Sequence, residues 1–154
     1  MNECHGDGDL SVIERRIDEW LAHFRTDNPD VVTDIQRGEG DERRWYVRMR
    51  GVEKEFTTVW LTLGQRTLRY ETYVMPAPEE NHAAFYEHLL RRNERLVGAH
   101  FSIGVEDAVF LRGELAVSTL DRNELDRILG SMYAYVEQCF RPALRIGFAS
   151  RFGR

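Results

Sequence analysis

A chain of 154 residues, 42 % apolar and 31 % charged, has the size and composition of one globular domain and not of a disordered tail. Its net charge of −5 argues against nonspecific nucleic-acid binding, and no apolar run approaches the roughly 20 residues that span a bilayer. Cys4 and Cys139 are too few and too far apart for a disulfide framework.

The first nine residues carry acid and no apolar core, which is unlike a secretory signal. They read as a flexible tail on a cytoplasmic protein, followed by a single domain over 10–148 and a C-terminal tip at 149–154. A first helix is expected from about Leu10 to Arg25, with Ile13, Ile17, Trp20, Leu21 and Phe24 as its apolar stripe. Ser11 and Glu14 have capping-box spacing, with Asp9 as the alternative cap, and Asn28-Pro29 stops the helix.

Four strands with period-two patterning follow. Val31, Thr33 and Ile35 share a face of the first; Trp45, Val47 and Met49 share a face of the second, with Tyr46, Arg48 and Arg50 opposite. The third runs near Phe56–Leu63 and the fourth near Leu68–Met75. Their short connections favour an antiparallel meander. After Pro76-Ala-Pro78, Asn81 is placed to cap a second helix bearing Phe85, Leu89 and Leu96, with Glu87 and Arg91 four residues apart. Gly98 ends it. Three short strands are expected near Ala99–Ile103, Ala108–Leu111 and Leu115–Val117, punctuated by Gly104 and Gly113. Asp121 and Glu124 cap a closing helix whose stripe is Leu125, Ile128, Leu129, Met132, Val136 and Phe140, and Pro142 ends or bends it. The order α-ββββ-α-βββ-α groups its strands in runs, so the class is α+β with a mostly antiparallel sheet and helices packed on it. Trp20, Phe24, Phe85, Leu129 and Val136 are the expected core.

The segment Leu89-Leu-Arg-Arg-Asn-Glu-Arg-Leu96 leading to Phe101 and Val109-Phe-Leu111, and the stretch from Glu124-Leu-Asp-Arg-Ile-Leu129 through Cys139-Phe-Arg-Pro-Ala-Leu144, resemble the YbjN-domain family. That resemblance implies a fold similar to type III secretion chaperones and a label of sensory-transduction regulator, with no catalytic residue set. It also implies homodimers that hold extended segments of a client.

Binding residues are sought on the third strand, which is apolar or aromatic on both faces. If Val59, Leu61 and Leu63 lie under the helices, the opposite face gathers Tyr46, Phe56, Trp60 and Tyr73, with Arg44, Arg48, Arg50 and Arg69 around them. Tyr, Trp and Arg dominate binding hot spots. Either the chain's own helices cover this face, or it meets a second copy or a client polypeptide. The candidate partner-binding residues are Tyr46, Arg48, Arg50, Phe56, Trp60 and Tyr73.

Five histidines without CxxC or HExxH spacing point to no metal and no cofactor; His82 and His88 fall on different faces of one helix. No nucleophile elbow, Walker loop or dinucleotide fingerprint occurs. The function expected is therefore non-enzymatic: a protein-binding or regulatory module, most simply a homodimer, with no nucleic-acid or membrane partner. The alternative is a small-ligand sensor or enzyme using a cleft between the sheet and the second helix.

Overall fold

Two packed layers, a sheet and its helices, account for residues 4 to 152, which the computed structural model describes. In chain order they are α1 (Asp7–Asp27), β1 (Val32–Arg37), β2 (Arg43–Arg50), β3 (Phe56–Leu63), β4 (Thr67–Met75), α2 (His82–Asn93), β5 (His100–Ile103), β6 (Val109–Ala116), α3 (Arg122–Gly147) and α4 (Ala149–Phe152). One six-stranded sheet is ordered β1-β2-β3-β4-β6-β5, and every pairing is antiparallel. The expected α+β class is the observed one.

Strand alternation decides which side becomes the core. Trp45, Val47 and Met49 of β2, Val59, Leu61 and Leu63 of β3, and Leu68, Tyr70 and Val74 of β4 are all buried. Ile17, Leu21 and Phe24 of α1, Phe85 and Leu89 of α2, and the α3 stripe from Leu125 to Cys139 join the same cluster. Trp20, expected with them, packs at the margin and is only half-buried.

Several local expectations change. The two strands expected on either side of Gly113 are one strand, β6, so the later sheet has two strands and not three. Gly113 is no turn. A Cβ there would sit 2.1 Å from the Gly98 carbonyl oxygen and 2.4 Å from the Tyr70 ring, so glycine permits a close crossing of β6, β4 and the Gly98 turn. In β1 a register shift between Val32 and Asp34 breaks the simple alternation: Val32 is buried in the core, and Val31 and Ile35 pack at its margin.

The helix ends differ too. α1 starts at Asp7, capped by Gly6 without a side-chain bond, and Ser11 Oγ donates to the Asp7 carbonyl within the helix. Asn81 does sit at the N-cap of α2, but in a left-handed conformation (φ 53°), and its amide donates to the Ile146 carbonyl of α3. Leu96 lies beyond the end of α2. Asp121 caps α3 as expected, accepting from the Glu124 N–H at 2.8 Å. Pro142 does not end α3, which runs on to Gly147. Burial of Cys139, Ala143 and Gly147 outweighs the one missing N–H, because packing supplies most of a helix's stability in a folded protein.

Candidate functional site

Because α1, α2 and α3 lay their stripes on one face of the sheet, the other face has no α-helix packed over it among the described residues, although at its β6 end Phe110 is buried against Tyr73, Arg112 and the Gly104 backbone. The question left open by the residues, whether this face is covered by the chain itself, is thereby answered. Register builds the site. Tyr46 stands opposite Trp60, and Arg50 opposite Phe56. The Tyr46 and Trp60 rings meet edge to face, with centroids 6.1 Å apart. The Arg48 guanidinium lies 3.7 Å from the Phe56 ring centroid, and that of Arg50 lies 5.8 Å away.

These five side chains lie together on β2 and β3; Tyr73, on the same face of β4, makes its ring contact with β6. Tyr73 is 41 % exposed, and its ring meets that of Phe110 of β6 edge to face, with centroids 5.7 Å apart. Arg112 covers the far side of that pair, 4.4 Å from the Phe110 centroid, and donates to Glu71 at 2.8 Å. Phe110 and Arg112 belong to this face as well, and counting every second residue back from Glu114 along the unbroken β6 leads to them.

Charge on this face is mostly positive. Arg44 donates to Thr62 at 3.1 Å and pairs with Glu42 at 3.5 Å. Among the described residues, Arg48, Arg50 and Arg69 make no ion pair. Asp34, Glu71 and Glu114 share the face, and Glu71 is already engaged by Arg112.

Clefts also lie on the helical side and rim, and three of them bear on binding. An apolar groove of about 260 Å3 runs between α2 and the edge strand β5, lined by Tyr86, Leu89, Leu90, Phe101 and Ile103; it is the expected cleft between sheet and second helix. A larger cleft of about 640 Å3 along the end of α3 has Phe140, Leu144 and Phe148 as an apolar floor. Its arginines are partly compensated: Arg151 pairs with Glu79 at 3.0 Å, and Arg141 pairs with Glu53. A third, of about 410 Å3, is lined by His88, Arg91, Arg92, Glu94, Arg95, Tyr135 and Gln138. Nothing in the spacing of these residues announced it, since it forms only where α2 meets α3.

Among the described residues no group of three His, Cys, Asp or Glu side chains could hold a metal ion, and no helix is long and apolar enough to cross a membrane. Cys139 is buried, and burial pushes its thiol up to about 12.

A six-stranded antiparallel sheet with its long helices on one face and an aromatic–arginine patch on the other defines the class: a two-layer α+β domain with an open sheet face. Compared with solved structures, the chain is similar to one in the heterodimeric complex ExoU–SpcU from the type III secretion system of Pseudomonas aeruginosa. The TM-score is 0.51 and the identity 15 %, over 82 % of this chain and 98 % of that one, a likeness of fold. The chain belongs to the YbjN family, described as "Putative bacterial sensory transduction regulator", which it matches over residues 15–145. It is 34 % identical over 108 residues to uncharacterised proteins of Mycobacterium tuberculosis and Mycobacterium bovis, and 32 % identical over 107 residues to one of Mycobacterium leprae. The match takes in 70 % of this chain and 59 % of the M. tuberculosis protein, so it spans less than two thirds of those relatives.

Proposed function

We propose that this protein is a non-enzymatic regulatory module that captures an extended, acidic segment of a partner polypeptide across the open face of its sheet. The observation that carries this reading is the uncovered patch of Tyr46, Phe56 and Trp60 with Arg48 and Arg50 at its edge. Aromatic rings give a desolvated anchor, and arginines that rest on a ring but have no carboxylate of their own favour carboxylates of a partner. The family's regulatory description and the fold shared with a chain of a heterodimeric complex support it. A two-fold contact over the same patch would bring the arginines of two copies together, so an acidic partner segment suits the patch better than a second copy.

The test is photo-crosslinking from a probe placed at Thr58, between Phe56 and Trp60, in cells of the native organism. Wild type is expected to link to a polypeptide whose crosslinked peptides are rich in Asp and Glu. Trp60→Glu is expected to abolish the link while the circular dichroism spectrum stays the same. Unchanged crosslinks in Trp60→Glu would overturn the reading. Crosslinks only to the chain itself, with light scattering showing a dimer that Trp60→Glu splits, would replace the client by a second copy.

A further inference from the structure

We infer that the cleft between the end of α2 and α3 binds a small phosphorylated molecule, held by its phosphate or diphosphate group through Arg92 and Arg95. This inference is independent of the sheet-face reading, because the cleft lies on the helical side of the molecule.

The shape comes from local bonds. Backbone N–H groups of Arg95 and Leu96 donate to the Arg92 and Asn93 carbonyls, coiling the chain tightly after α2. The Tyr135 hydroxyl of α3 then accepts from the Val97 N–H at 3.2 Å, which pins that turn against α3. The space enclosed, about 410 Å3, suits a small ligand, since such sites run from about 300 to 1,000 Å3.

The charge is unusual for an acidic chain. His88, Arg91, Arg92 and Arg95 line the cleft against a single carboxylate, Glu94, while the whole protein carries −5. Arg91 is drawn outward to Glu87 at 3.2 Å. Arg92 is half-buried and pre-aimed: its Nε donates to His88 Nε2 at 2.9 Å. Its two terminal nitrogens, and the whole Arg95 guanidinium, have no side-chain partner among the described residues. A guanidinium fixed at Nε with its terminal N–H groups open is the arrangement that grips an oxyanion. Basic residues near a helix C-terminus also answer the macrodipole, but that needs no particular side of the helix. Here Arg92 and Arg95 both border one cleft, and Gln138 adds a neutral donor from α3, while the Tyr135 hydroxyl is committed to the Val97 backbone.

Titration calorimetry of the full chain with sodium pyrophosphate tests this. Wild type is expected to show one saturable site. Arg92→Gln with Arg95→Gln is expected to weaken it at least about tenfold, and Arg16→Gln, at an exposed position of α1, to leave it within about twofold. In parallel, pyrophosphate is expected to move the amide resonances of Arg95, Val97 and Tyr135 in wild type, and Arg95→Gln alone, at an exposed position, to diminish those shifts without unfolding. Absence of saturable binding at about 5 mM pyrophosphate overturns the inference. So does an equal loss in Arg16→Gln, which would mean diffuse attraction and no built site.

Discussion

At Gly113 a single methyl group decides whether β6 can pass. With the Gly98 carbonyl and the Tyr70 ring both closer than any real Cβ contact, Gly113→Ala forces the strands apart. It is expected to cost about 1–3 kcal/mol in urea unfolding, the usual range for overpacking. His88 gives a pH signature. Burial, and then the neighbouring Arg92 charge, lower its pKa from 6.5, and Arg91, Arg95, Glu94, Tyr135 and Gln138 also border it. A depressed folded pKa means the unfolded chain takes up the proton first as pH falls. The contribution of His88 to stability is therefore complete above about 6.5 and is lost as pH drops through the folded value; denaturation of His88→Gln at several pH values is expected to show a flatter acid limb. The two thiols should separate by accessibility: in native protein at pH 8 a thiol reagent is expected to label exposed Cys4 and to spare Cys139 until denaturant is added.

Among the elements, α3 organises the rest. Glu137 on its outer flank accepts from the backbone N–H groups of Val52 at 2.5 Å, Glu53 at 3.1 Å and Lys54 at 3.0 Å, so one carboxylate holds the β2–β3 turn. Glu137→Ala leaves those donors to water or unpaired. It is expected to cost about 1–3 kcal/mol and to speed hydrogen exchange at residues 52–54. On its inner flank α3 packs on Phe85 of α2, which is fully buried and close to Gly147. Phe85→Ala is expected to cost about 3–5 kcal/mol in urea unfolding, as truncation of a large core aromatic does. Both helices announced their stripes in the residues. The Glu137 clamp did not, since its partners are some 84 residues away in the chain and come near only when sheet and helix pack.

Across the whole molecule, one-sided packing is the feature on which the proposed partner binding depends. The alternation in β2, β3 and β4 was legible, because a period of two places Trp45, Val47, Val59 and Leu61 on one side whatever the strands pair with. So were the antiparallel meander, set by short connections, and the α3 cap at Asp121. The two faces of β3 could be told apart, but their environments could not. Whether Trp60 lay under a helix depended on where α1, α2 and α3 came to rest, and their stripes are apolar enough to have packed on either side. The unbroken run of β6 was hidden for a related reason: Gly113 looks like a turn residue in isolation and is a packing residue only beside Tyr70 and Gly98. The Arg92–Arg95 cleft lay further still from view, because no local pattern relates the end of α2 to Tyr135 and Gln138. The sequence by itself determined the three long helices, the first four strands and the buried side of β2 to β4, since these rest on short-range periodicity and turn chemistry; the family was carried by a resemblance of particular segments. Only the tertiary structure decided which face stays open and where the free arginines converge, because both depend on contacts between residues far apart in the chain.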